Sequence, residues 1–317
     1  MRVYVTRAIP QRLCENIAEV GEVQIWDEDV PVPREILLEK AAEATGLLCM
    51  LTDEIDSELL DAAPRLRVVS QMAVGVDNID VPSCHSRGIR VGHTPDVLTE
   101  SVADHAVALM LAAARRFREG MAEVVEGRWG SWDPWHQLGV DVHGTTLGIV
   151  GMGRVGNAVA TRAAAFNMDV LYASPRQSGP SSARHVALSE LLTASDHVMV
   201  AAPLTPETRG LFGVREFRAM KPTATFVNVA RGPIVNQAAL AEALDAGEIF
   251  GAALDVTDPE PLPPEHPLVG LRNCLIVPHI GSATVRTREA MAALATENLI
   301  AGLRGGRMPS EIEPTTA

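Results

Sequence analysis

The chain has 317 residues, 47% of them hydrophobic, and a formal net charge of −13. That length suits two domains and that apolar content a large core, which excludes a disordered chain. An acidic chain of sequence pI near 5.2 lacks the basic face a nucleic acid requires, and no apolar run approaches the ~20 residues that span a bilayer.

Cys14, Cys49, Cys84 and Cys274 form no C-x-x-C pair. They are expected to be buried, reduced thiols, neither disulfide-bonded nor zinc-binding. Met1-Arg2 runs straight into the strand-like V-Y-V with no secretory pattern, so a cytoplasmic protein is expected. Strands are predicted over 2–6, 22–26, 46–51 and 66–71, with helices over 12–20, 34–44 and 56–63 between them. This alternation implies a parallel sheet covered on both faces. Ligands of such sheets lie beyond the carboxyl ends of the strands. Three loops leave strands there: Thr6-Arg7, Leu51-Thr52-Asp53 and M-A-V-G-V-D at 72–77. Gly75 in the last can turn backbone N–H groups toward a carboxylate or serve an ordinary turn.

The composition shifts at 88–95, and a long helix is predicted over 96–117, acidic at its start and basic at its end as the helix dipole favours. Its start is taken as the domain boundary. Residues 119–143 hold Trp129, Trp132 and Trp135 in a stretch punctuated by Gly and Pro. Clustered indoles there suggest a subunit interface; packing beneath the arm itself is the alternative.

The stretch T-T-L-G-I-V-G-M-G-R-V-G at 145–156 follows. A buried strand over 147–150 should stop at Gly151, Gly153 and Gly156 and give way to a helix over 154–166. Gly151 allows a sharp turn, Gly153 lets the backbone approach a pyrophosphate, and Gly156 lets the helix sit close to the strand. The helix N-terminus offers N–H groups to the anion. A strand over 170–173 completes a βαβ unit, and strands over 198–201, 225–229 and 249–254 follow, with a helix over 236–246. An apolar segment at 275–277 and a terminal helix over 284–303 close the chain. The second strand of the unit carries Asp169 at its start, the wrong end to hold the adenosine ribose. Its exit reads Ser174, Pro175, Arg176. A hydroxyl and an arginine there suit a 2′-phosphate, so NADP(H) is preferred and NAD(H) remains open.

Four further strand exits share that edge, so Arg231, Asp255 and His279 can converge near a nicotinamide, with Glu260 brought beside His279 by a proline-rich loop. A 2-oxo acid accepting hydride needs a cation for its oxygens, which Arg231 offers as a planar fork. It needs a proton for its carbonyl oxygen, which His279 can give. It needs the imidazole oriented, which Glu260 can do. Asp255 either bonds near the nicotinamide or caps its own loop. His105 and His197 are read as core histidines.

With these residues assembled, the chain resembles the D-isomer-specific 2-hydroxyacid dehydrogenases, and within them the glyoxylate/hydroxypyruvate reductases. The motifs are G-M-G-R-V-G at 151–156, N-V-A-R-G at 228–232, A-L-D-V-T-D-P-E-P-L-P at 253–263 and P-H-I-G-S-A-T at 278–284. The reductase branch is supported by A-V-G-V-D at 73–77, R-V-G-H-T-P-D-V-L-T at 90–99 and G-L-R-G-G-R-M-P-S-E at 302–311. The resemblance implies an α/β fold of two Rossmann-like/flavodoxin-like doubly wound parallel-sheet domains with a cleft between them. Residues 1–95 and 285–317 would form the substrate-binding lid. Residues 96–284 would form the dinucleotide-binding domain, with a dimerisation arm at about 119–143, and the resemblance implies a homodimer built through these domains. It implies Arg231, Glu260 and His279 as catalytic residues, and substrate contacts from Val74, Gly75, Arg231 and His279. Cofactor contacts are implied at Arg154, Val155, Pro203, Thr208, Val229, Asp255, His279 and Gly281, beside Gly151, Gly153, Gly156, Ser174, Arg176 and Ala230. No metal is expected. The arm departs from the pattern: it reads W-D-P-W-H-Q-L-G at 132–139, with His136 and Gln137 where related reductases tend to be apolar. The expected reaction is reduction of glyoxylate to glycolate and of hydroxypyruvate to D-glycerate. The alternatives are a larger 2-oxo acid as substrate, or a non-catalytic dinucleotide sensor on the same fold.

Overall fold

In the computed structural model, which describes residues 1–175, 177 and 179–313, the chain divides into two units. The first holds Met1–Leu98 and Thr284–Ala317, the second Thr99–Ala283. The expectation for Arg176 lies outside the described residues.

The first unit contains β1 (Arg2–Val5), β2 (Glu22–Ile25), β3 (Gly46–Cys49), β4 (Val68–Gln71) and β5 (Arg90–Gly92), in the order β2-β1-β3-β4-β5. All neighbours are parallel. Strands β3 and β4 are buried along their whole length, as parallel strands covered on both faces must be. The last helix, Val285–Leu303, lies on this sheet. Ser70 on β4 donates its hydroxyl to the Ala295 carbonyl at 2.7 Å. An added Cβ at Gly46 on β3 would stand 2.9 Å from Leu299, so the glycine lets this helix come close.

The second unit contains β6 (Thr146–Val150), β7 (Asp169–Ala173), β8 (Ala183–His185), β9 (His197–Val200), β10 (Thr225–Asn228), β11 (Gly251–Leu254) and β12 (Cys274–Ile276), in the order β12-β11-β10-β9-β6-β7-β8. Its neighbours are again all parallel. Strand order reverses between β6 and β9, where doubly wound sheets bind ligands outside the carboxyl ends of their strands. Helices cover the sheet through two apolar clusters. One is centred on Phe212, Phe217 and Phe226, the other on Leu147, Met110 and Val159.

Several local expectations are corrected. The helix predicted over 96–117 runs only Thr99–Ala114. Asp96 and Arg116 have left-handed backbone, φ 68° and 54°, which a continuing helix cannot contain. A second helix, Phe117–Val125, follows Arg116, so the arm begins helical and is irregular only beyond it. A helix at Val81–Ser86 had no periodic signature, since it is a turn and a half long with Pro82 in its first turn. All four cysteines are free and buried, as expected. His197 is a core histidine: fully buried, its ring nitrogens lie 2.7 Å from Thr225 Oγ1 and 3.1 Å from the Asp141 carbonyl. Burial pushes its pKa down.

Candidate active site

The glycine turn is built as its residue types require. Gly151 has φ 98°, and a Cβ there would sit 2.6 Å from the Ala202 backbone. A Cβ on Gly156 would stand 2.3 Å from the Gly151 carbonyl oxygen, so this glycine sets the close helix–strand contact. Around Gly153 the space is open. Gly153 caps the helix Arg154–Ala163 without a side-chain bond, which leaves the first N–H groups of the helix for a ligand. These features fit a dinucleotide pyrophosphate. Arg154 and Val155 occupy the first two positions of that helix.

The other candidate residues of the second unit leave strands of the same sheet at the same end. Ser174 follows β7, and its carbonyl lies 2.9 Å from His185 Nε2. Asp169 opens β7 and is exposed, far along the strand from that exit. Pro203 and Thr208 follow β9; the Thr208 hydroxyl donates to the Pro203 carbonyl at 2.7 Å and orders the loop. Val229, Ala230 and Arg231 follow β10. Buried Asn228 staples that exit: its Nδ2 donates to the Arg231 carbonyl at 2.9 Å and its Oδ1 accepts from Ala230 N–H at 3.0 Å. Arg231 Nη1 also donates to the Ala230 carbonyl at 2.8 Å. A Cβ on Gly232 would overlap the Thr257 carbonyl oxygen at 1.9 Å. This glycine therefore presses the exit of β10 against the exit of β11.

Asp255 and Glu260 leave β11, and His279 and Gly281 leave β12. His279 Nδ1 lies 2.9 Å from Glu260 Oε2. Glu260 Oε1 accepts from Thr257 N–H at 2.9 Å, so the carboxylate is fixed by its own loop before it meets the imidazole. That loop is pinned in turn by Gln237, which accepts from Asp258 N–H at 3.1 Å and donates to its carbonyl. Both His279 and Glu260 are partly exposed. With Nδ1–H directed to Glu260, Nε2 is the ring atom left to give or take a proton.

Asp255 is turned into the protein. Its Oδ1 accepts from Ile280 N–H at 2.7 Å and its Oδ2 from Gly281 N–H at 3.0 Å, with His105 Nε2 3.0 Å from Oδ1. Burial works to raise its pKa, and the bonds from His105 and the two N–H groups outweigh it, holding the carboxyl below its ordinary value. His105 is thus more than the core histidine expected of it. It is half-buried and meets an aspartate 150 residues away in sequence. No local pattern could show this. The role of Asn228 was legible in principle, as an Asn at a strand exit favours local backbone bonds.

In the first unit, Val74 and Gly75 follow β4. The Val74 carbonyl lies 3.0 Å from His93 Nδ1, and the Gly75 carbonyl accepts from Gln71 Nε2 at 3.2 Å. On the arm, Trp129, Trp132 and Trp135 are 74%, 84% and 79% exposed. His136 Nε2 and Gln137 Nε2 turn back to Glu123 Oε2 at 2.7 and 3.3 Å, which gives these polar residues a partner within the arm. Among the described residues, no cluster of His, Cys, Asp and Glu is suited to a metal.

Residues 107–281 match the model of the D-isomer specific 2-hydroxyacid dehydrogenase NAD binding domain. The chain belongs to the D-isomer specific 2-hydroxyacid dehydrogenase family. It is 47% identical to the human glyoxylate reductase/hydroxypyruvate reductase, over 99% of this chain and 98% of that protein. A crystal structure of a Thermus thermophilus protein superposes with a TM-score of 0.93 at 47% identity, covering 99% of this chain and 100% of the other. An NADPH-dependent glyoxylate/hydroxypyruvate reductase from Sinorhizobium meliloti, solved with NADP and malonate, gives a TM-score of 0.85 at 32% identity, covering 98% and 96%. The family and the glycine turn together make the cofactor a nicotinamide dinucleotide.

Proposed function

We propose that this protein reduces small 2-oxo acids, glyoxylate and hydroxypyruvate first, yielding glycolate and D-glycerate. The observation that carries this reading is the Glu260–His279 pair at 2.9 Å, on the sheet edge that also bears Arg231 and the glycine turn. The names of the human and Sinorhizobium relatives support it. The dinucleotide, when bound, supplies the hydride. Gly151, Gly153, Arg154, Val155 and Gly156 would hold its pyrophosphate, and Pro203, Thr208, Val229, Ala230, Asp255 and Gly281 would line the rest of its path. The Arg231 guanidinium binds the substrate's carboxylate and carbonyl oxygens. His279 Nε2–H gives its proton to the carbonyl oxygen as that oxygen gains charge, and the ring recovers a proton from water. Glu260 keeps the imidazole in the tautomer and orientation that this transfer needs. We assign residues 1–95 and 285–317 to the substrate, with the Val74 and Gly75 N–H groups on its carboxylate; among the described residues neither N–H has a protein acceptor.

NADPH is the preferred donor in this reading. Ser174 and Arg176 supply a hydroxyl and a cation where a ribose-binding carboxylate would otherwise stand, and the sequence from 174 to 180 contains no acidic residue. The exposed indoles of the arm support pairing with a second copy of the chain. The buried free thiols support a cytoplasmic enzyme; among the described residues no helix is long and apolar enough to cross a membrane. The test is a spectrophotometric assay of NADPH and NADH oxidation with glyoxylate, hydroxypyruvate and larger 2-oxo acids. Turnover with the first two, faster with NADPH, is expected. Failure to oxidise either dinucleotide with any 2-oxo acid contradicts the enzyme reading, and faster turnover with NADH contradicts the role given to Ser174 and Arg176.

A further inference from the structure

His279 does not sit in a relaxed loop. Its φ of 52° is left-handed, a conformation that a non-glycine residue holds only when its surroundings impose it. The backbone around it shows what imposes it. His279 N–H donates to the Asp255 carbonyl at 2.9 Å, and the next two N–H groups, of Ile280 and Gly281, each donate to one oxygen of the Asp255 carboxylate. Three consecutive amides behind the imidazole therefore close on one aspartate. A Cβ at Gly281 would lie 2.8 Å from Asp255 Oδ2, so the carboxylate packs directly against that glycine.

A carboxylate can rotate about its own side-chain bonds, and one that serves as a template must be held. The helix Thr99–Ala114 does the holding with two residues one turn apart, which share a face. Ser101 donates its hydroxyl to the Gly281 carbonyl at 2.9 Å. His105 presents Nε2 to Asp255 Oδ1 at 3.0 Å. We propose that His105 is a positioning residue for the proton donor: it fixes the Asp255 carboxylate, and Asp255 holds the Ile280–Gly281 backbone that sets the His279 ring against Glu260. Nε2–H can donate whether the His105 ring is neutral or charged. The requirement is for a donor at that point, and glutamine can also supply one.

This inference rests on the reductase reading only for its kinetic arm. Two variants test it. His105→Phe keeps a ring and removes the donor; His105→Gln keeps an N–H near the same place. In the first, deuterium exchange at the Ile280 and Gly281 amides is expected to quicken about tenfold, and in the second to stay within about threefold of the unaltered protein. With glyoxylate and NADPH, kcat of His105→Phe is expected to fall about tenfold with KM for the oxo acid within about twofold, and His105→Gln to recover most of the loss. Unchanged exchange and kcat in His105→Phe, or equal losses in both variants, overturn the proposal. If the unaltered protein turns over no 2-oxo acid, the reductase reading fails by itself, and the exchange comparison, which needs no substrate, still decides the role of His105.

Discussion

Asp53 in the first unit and Asp255 in the second are both aspartates in loops that leave parallel strands, and they are equally buried, at 2% and 3% exposure. Their surroundings differ. Asp53 Oδ2 accepts from Met50 N–H at 2.7 Å and from the Thr6 hydroxyl, and burial outweighs these bonds, pushing its pKa up. Asp255 faces the same burial but has two backbone N–H groups and His105, and its pKa is held down. Depth alone does not set the state of a carboxylate; the donors gathered around it do. Asp53 belongs to a network that braces loops. Asn78 Nδ2 donates to the Met50 and Asp53 carbonyls at 3.1 and 2.7 Å, and Gln71 Nε2 to Asn78 Oδ1 at 2.6 Å and to the Gly75 carbonyl. Asp255 is kept as an anion directly behind the residue assigned the proton transfer.

The contrast breaks most visibly at Asp255. Asp255→Ala leaves the part-buried Ile280 N–H and the buried Gly281 N–H without acceptors, and a stability loss of about 2–5 kcal/mol is expected by urea denaturation, with a large fall in kcat. Asp53→Asn keeps the shape and an acceptor oxygen, and should change stability by no more than about 1 kcal/mol. Equal losses would remove the distinction between the two aspartates.

Acid titration sharpens the same contrast through its sign. The lowered pKa of Asp255 contributes stability that is present above the ordinary aspartate range and lost as pH falls through its folded value. The raised pKa of Asp53 does the reverse: its ionisation opposes folding at neutral pH, and that cost disappears as pH falls and the folded state takes up the proton. Denaturation from about pH 7 to about pH 3 should therefore show the advantage of the unaltered protein over Asp255→Ala shrinking with acid. Relative to Asp53→Asn, the unaltered protein should gain with acid. The opposite slope in either comparison contradicts the stated environment of that aspartate.

What the sequence discloses follows the range of the forces involved. The turn at Gly151, Gly153 and Gly156 is legible because a backbone conformation at Gly151 and close approaches at Gly151 and Gly156 demand glycine within six residues, with Gly153 left open between them. Arg231, Glu260 and His279 are legible as chemistry-bearing side chains just past apolar runs, since parallel strands put their exits on one edge. The links that hold them are not. His105 reads as one more residue of an apolar helix until folding sets it against Asp255. The break at Arg116 is equally hidden, because nothing in A-A-A-R-R-F announces left-handed backbone. Asp255 itself was readable either as a cofactor contact or as a loop cap. Its side chain does not cap its own loop; it bonds to two amides of the neighbouring strand exit, Ile280 and Gly281.

The most direct measurement is the turnover of His279→Asn with glyoxylate, set beside its affinity for NADPH by fluorescence titration. An amide keeps a hydrogen-bonding side chain next to Glu260 and removes the transferable proton. Dinucleotide affinity is expected to stay unchanged while kcat falls by about 10²–10⁴. Turnover equal to that of the unaltered protein would show that the proton comes from elsewhere and that the Glu260–His279 pair is not the seat of the reaction.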